Sequence, residues 1–99
     1  MSQSIAVLGA GSWGTSLAIH LARSGATVHL WGRNAEAILD MQRCQENKQY
    51  LPGCPFPASL QPTHDLDQAC QSADMVCIVV PTSAFSPIEV YPTFLILPL

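Results

Sequence analysis

Apolar residues along this 99-residue chain fall into short blocks whose spacing switches between strand-like and helix-like. Ser4-Ile5-Ala6-Val7-Leu8 is a near-continuous apolar run, the form a strand takes when a parallel sheet is covered on both faces. From about Ser12 to Ser24 the spacing changes: Leu17 and Leu21, and Ala18 and Ala22, recur four residues apart on one helical face. Gly25 follows, suited to the left-handed residue that closes a helix. Ala26-Thr27-Val28-His29-Leu30-Trp31 then returns as a second strand, which completes a βαβ unit with an expected right-handed crossover.

Beyond it, Asn34 can N-cap a helix that carries Ala37, Ile38 and Met41 on one face. Three prolines between Pro52 and Pro57 exclude a regular helix, so the segment from Glu46 to Pro57 reads as a fixed loop. Ser59-Leu60-Gln61-Pro62-Thr63 fits a short edge strand, where proline is tolerated. Asp65-Leu66-Asp67-Gln68 has the form of a capping box and opens a short helix ending near Ala73, with Leu66, Ala69, Cys70 and Ala73 as its apolar stripe. Met75 to Val80 is the strongest strand signal, six apolar residues stopped by Pro81, and belongs beside the first strand.

The first strand runs straight into Gly9-Ala10-Gly11-Ser12-Trp13-Gly14, a G-x-G-x-x-G turn that opens the first helix. In that context the first glycine permits the turn and the second lets the main chain approach a pyrophosphate. The third lets helix and strand pack closely. The helix N-terminus supplies free N–H groups and a positive dipole end for an anion. The chain therefore reads as an α/β, Rossmann-type doubly wound parallel sheet, incomplete, with about four strands in the order 3-2-1-4 and a dinucleotide site at the glycine turn.

A purely structural glycine turn is the bland alternative. At the end of the second strand, NAD-selective domains carry an acidic residue for the ribose 2′-hydroxyl, whereas here Gly32, Arg33 and Asn34 follow. A guanidinium there attracts a 2′-phosphate, which favours NADP over NAD; the alternative is that Arg33 is a solvated surface charge.

Composition narrows the partners. Four Lys and Arg stand against seven Asp and Glu, a net charge of −3 with no basic run, which argues against nucleic acid. The first basic residue is Arg23 and the apolar runs before the tail are short, so neither a signal peptide nor membrane insertion is expected and the chain reads as cytoplasmic. Cys44, Cys54, Cys70 and Cys77 form no C-x-x-C pair and read as buried reduced thiols. His20 and His64 lack partners at metal-ligand spacing, and His29 reads as a packed or edge histidine, so no metal site is expected.

Several of these stretches together resemble the bacterial-type NAD(P)-dependent glycerol-3-phosphate dehydrogenases. The resemblance rests on Gly9 to Thr15, Leu30-Trp31-Gly32-Arg33, Asn47-Lys48-Gln49-Tyr50-Leu51-Pro52-Gly53, Thr63 to Leu66, and Ala73-Asp74 running into Val79-Val80-Pro81-Thr82, and covers about residues 3 to 85. A tryptophan inside the glycine loop and a Tyr-Leu-Pro-Gly loop are features a generic dinucleotide domain does not require. The resemblance implies reduction of dihydroxyacetone phosphate to glycerol 3-phosphate by NADPH or NADH, a step toward phospholipids.

By position, it implies that Gly9, Gly11, Ser12, Trp13 and Gly14 hold the cofactor at the loop. Arg33 and Asn34 would lie at the adenosine ribose, and Tyr50 would close over the cofactor; the alternative for Tyr50 is an aromatic packed on the sheet edge. The family usually has a histidine or similar residue where Asn34 stands.

The family also places one lysine beyond the fourth strand and a catalytic lysine in a separate helical domain, yet no Lys or Arg follows Lys48 here. No catalytic residue is therefore assigned, and the isolated chain is expected to be inactive. A free-standing NAD(P)-binding sensor module remains the alternative function. A related 2-hydroxyacid or sugar-nucleotide dehydrogenase is a further one, against which the Tyr50-Leu51-Pro52-Gly53 loop argues. The resemblance stops after Phe85, and residues 86–99 contain Pro87, Pro92, Pro98 and a single charge, Glu89. The expected division is a partial dinucleotide-binding domain over residues 1–85 and an apolar, proline-rich tail over 86–99 that is not native to the fold, as from a frameshift or truncated gene; a genuine terminal strand beside the fourth is the alternative.

Overall fold

A computed structural model describes residues 3–71, 73–80 and 93–98. In chain order the elements are β1 (Ser4–Leu8), α1 (Ser12–Arg23), β2 (Thr27–Trp31), α2 (Ala35–Cys44), β3 (Leu60–Thr63), α3 (Leu66–Cys70), β4 (Met75–Val80) and β5 (Thr93–Pro98). They build one sheet in the order β3-β2-β1-β4-β5. The first four strands are parallel, with Val7 beside Leu30 of β2 and beside Cys77 of β4. The sequence left a fifth strand open; β5 is present and pairs antiparallel with β4, from Val80 opposite Thr93 to Met75 opposite Pro98. Residues 81–92, in which the tail begins, lie outside the described residues.

Successive strand residues point to opposite faces, and the two faces are covered differently. Ile5, Val7, Val28, Leu30, Leu60, Cys77 and Val79 cluster with Ala18, Ile19 and Ala22 of α1 and with Ile38 and Met41 of α2. On the other face Ala6 and Val76 pack against Ala69 of α3. Leu30, Ile38 and Leu60 are wholly buried, and each such side chain stabilises by roughly 1.5–3 kcal/mol relative to exposure. Helix α2 docks for this reason, through Ile38 and Met41, while Glu36, Asp40 and Arg43 stay in water.

The ends of the elements show how local signals are realised. Helix α1 closes with Gly25 at φ 107°, where Gly25 N–H donates to Ala22 and Ala26 N–H to Leu21 at 3.1 and 3.2 Å, the paired bonds of a Schellman cap. Asn34 caps α2 as expected, its Oδ1 accepting from Ala37 N–H at 3.1 Å. At α3, Asp65 Oδ1 accepts from Gln68 N–H at 3.2 Å, but the reciprocal half of the box is rerouted. Gln68 Oε1 accepts from the Thr63 hydroxyl at 2.8 Å, and that hydroxyl oxygen accepts from Asp65 N–H at 3.1 Å. Helix α3 is also shorter than its stripe suggested, ending at Cys70, and Leu66 is 46% exposed.

Strand β3 lies at the sheet edge with Pro62 opposite Leu30. Gln42 Nε2 of α2 donates to the Pro62 carbonyl at 2.9 Å, which covers part of an otherwise open edge.

Candidate functional site

The turn between β1 and α1 is held by contacts that leave no space for side chains at two of its glycines. Gly9 has φ 126° and its N–H donates to the Trp31 carbonyl at 2.9 Å, so the turn extends the β1–β2 ladder. A Cβ on Gly9 would strike the Val79 carbonyl of β4. A Cβ on Gly14 would strike the Gly9 carbonyl oxygen and lie 2.9 Å from its carbon. The third glycine thus lets α1 close on the turn itself, with Val79 Cβ of the neighbouring strand a further 3.7 Å contact.

Gly11 differs: its φ is −79° and a Cβ built there meets nothing within 4 Å. Its surroundings are open toward the cleft. Gly11 caps α1 without a side-chain bond, and no acidic residue occupies the first turn, so the dipole end is not neutralised from within the helix.

These groups line a cleft of about 460 Å³ at the carboxyl ends of β1, β2 and β4. Its place is the switch point where the chain crosses from one side of β1 to the other, and its size suits a cofactor pocket. Gly9, Gly11, Ser12, Trp13, Gly14, Arg33, Asn34 and Tyr50, the residues singled out from the sequence, all line it. Trp13 and Tyr50 are 59% and 51% exposed and stand at its rim.

Crowding decides which side chain follows β2 into the cleft. A Cβ on Gly32 would lie 3.0 Å from Ala10 Cβ and 3.1 Å from Ile38 Cδ1, so the carboxylate that an NAD-selective site needs would fit there only if those side chains shifted by a few tenths of an ångström. Arg33 is next, exposed, and carries the cleft's single charge among the described lining residues. Asn34 commits its oxygen to the α2 cap, which leaves its amide N–H groups to offer a ligand.

Tyr50 belongs to the loop after α2, whose start is set by Gln45 in the left-handed region at φ 56°. Asn47, unremarked as a site residue in the sequence, is 2% exposed and bonds to both the glycine turn and the Tyr50 backbone. The only signal was its place in the Asn47 to Gly53 motif, because local composition does not reveal that a polar residue of a proline-rich loop is buried.

The thiols need a correction. Cys77 is buried in β4, and burial pushes its pKa up, but Cys54 and Cys70 are half-buried and Cys44 is exposed at the end of α2. Four residues after Asp40, Cys44 falls on the solvent side of an amphipathic helix, which the thiol's usual apolar preference does not override.

The family model for the N-terminus of NAD-dependent glycerol-3-phosphate dehydrogenase matches residues 4–90. The chain belongs to this family. The glycerol-3-phosphate dehydrogenase [NAD(P)+] of Thioalkalivibrio sulfidiphilus is 55% identical over 81 residues, which are 82% of this chain and 24% of the relative. The Idiomarina loihiensis enzyme is 51% identical over 82 residues, 83% of this chain and 25% of the relative.

The crystal structure of glycerol-3-phosphate dehydrogenase from Coxiella burnetii superposes with a TM-score of 0.79 at 44% identity, covering 85% of this chain and 26% of that one. A glycerol-3-phosphate dehydrogenase of Plasmodium falciparum, at 22% identity and TM-score 0.68, shares the fold over 91% of this chain and 30% of its own. The chain thus spans about a quarter of the length of the curated dehydrogenases it matches, and corresponds to their N-terminal NAD(P)-binding part. No helix among the described residues is long and apolar enough to cross a membrane.

Proposed function

We propose that this chain is the NAD(P)-binding portion of an sn-glycerol-3-phosphate dehydrogenase, which reduces dihydroxyacetone phosphate to the glycerol 3-phosphate used in phospholipid synthesis, and that it prefers NADP. The observation that supports the preference is Arg33, the single charge among the described residues lining a cleft whose neighbouring position is a crowded glycine, Gly32, with no acid. A guanidinium recognises a phosphate by charge and by paired N–H donors, whereas a ribose hydroxyl offers it far less.

The cleft fits a dinucleotide because Gly11 leaves open the space that a Cβ would fill, beside the positive end of α1. Gly9, Gly11, Ser12 and Gly14 would hold the pyrophosphate, Trp13 and Tyr50 would flank the cofactor, and Arg33 with the Asn34 amide would hold the adenosine ribose. Bound NADPH supplies the hydride. Proton donation to the developing alkoxide and binding of the substrate phosphate need groups this chain does not offer, since no Lys or Arg follows Lys48. The chain alone binds cofactor and does not turn over.

Titration with NADPH and NADH tests the preference. The unmutated chain should bind NADPH more tightly, and Arg33→Ala should erase most of the difference, a charge-assisted contact contributing about 1.5–3 kcal/mol or roughly ten- to a hundred-fold. Equal affinities in the unmutated chain would remove the basis for the assignment.

A further inference from the structure

The two sides of the cleft are joined by one buried amide. Asn47 Nδ2 donates to the Ala10 carbonyl at 3.0 Å and to Thr15 Oγ1 at 2.9 Å, both in the glycine turn and first turn of α1. Its Oδ1 accepts from Tyr50 N–H at 3.2 Å, on the opposite lip. Among the described residues, the side-chain hydrogen bonds between the loop of residues 46–53 and the glycine turn all run through Asn47. Leu51 N–H donates back to the Asn47 carbonyl at 2.8 Å, which closes the loop into a tight turn around Tyr50.

Few side chains can make this set. Two donors and one acceptor on a single short amide are needed; an aspartate of the same shape has no N–H to give, and would place a carboxylate against the Ala10 carbonyl. A buried amide is retained at low cost only when its groups are satisfied, and here both ends are.

The geometry points to Asn47 as a positioning residue, which sets the place of Tyr50 relative to the glycine turn and thereby the fit of the dinucleotide. This inference rests on the reading of the cleft as a dinucleotide site. It goes beyond the cofactor-contacting residues, because Asn47 is buried and acts through Tyr50.

A double-mutant cycle on the 99-residue chain tests it, with NADPH affinity as the readout and thermal unfolding measured in parallel. Asn47→Asp should weaken binding about ten- to thirty-fold in the unmutated background, but less than about threefold when Tyr50→Ala is already present. A merely structural role predicts the same loss in both backgrounds, so that outcome, or no loss in either, overturns the inference.

If Asn47→Asp fails to fold, Thr15→Val takes its place in the cycle. It keeps the shape and removes one acceptor of the Asn47 amide, and its loss of binding should likewise shrink in the Tyr50→Ala background, additivity overturning the proposal. Failure of the cleft reading has a separate signature: the unmutated chain, folded by thermal unfolding, would bind neither NADPH nor NADH.

Discussion

Replacing Gly11 and Gly14 by alanine, one at a time, should separate ligand binding from folding at two positions three residues apart in one motif. At Gly14 the new methyl carbon would run into the Gly9 carbonyl oxygen and lie 2.9 Å from the carbon behind it. Overpacking of this sort costs about 1–3 kcal/mol, and the upper end applies because the obstacle is backbone rather than the tip of a flexible side chain. Gly14 lies in the first turn of α1, so alanine's better helix propensity offsets up to about 1 kcal/mol. The net loss is on the order of 1–2 kcal/mol, a fall in Tm of roughly 4–16 °C for a domain of this size.

At Gly11 the same methyl meets nothing within 4 Å, and φ of −79° is open to alanine. Stability should stay within about 1 kcal/mol of the unmutated chain, because alanine restricts the unfolded chain but is a poorer N-cap than glycine. Affinity should nevertheless fall steeply, since the methyl occupies the space the pyrophosphate needs. Thermal unfolding without ligand and NADPH titration of the same samples measure the two effects. If Gly11→Ala retains the affinity of the unmutated chain, or melts below Gly14→Ala, the division of labour among the glycines is wrong.

Three further outcomes are expected. The chain should oxidise no NADPH above blank when supplied with dihydroxyacetone phosphate, and measurable turnover would mean that the chain does hold a proton donor for the reaction. Burial raises the Cys77 pKa above its ordinary value of 9.0, so the unfolded state loses its proton first; the stability present below about pH 9 should decline above it, and Cys77→Val should flatten that decline in a denaturant series at several pH values. Residues 86–99 are proposed to be an appended tail rather than part of the dinucleotide-binding unit, so their removal should leave folding and NADPH binding no worse; a truncated chain that no longer folds would make β5 an integral strand.

Local periodicity was enough to place β1, α1, β2 and β4, because alternation at two residues and recurrence at four depend only on neighbours in the chain. It also placed the cap at Asn34 and the closing glycine at Gly25, whose partners lie within five residues. The order β3-β2-β1-β4 followed from the glycine fingerprint in its strand–helix setting.

What the sequence could not show were contacts made across the sheet. Gly9 is pressed by Val79, seventy residues away, and Gly32 is crowded by Ala10 and Ile38. Thr63 takes over half of a capping box because β3 ends beside α3, and Asn47 is buried because the proline-rich loop folds back over the glycine turn. Each of these depends on which strands become neighbours, and that is decided by burial summed over both faces of the sheet, a quantity no short window of residues contains.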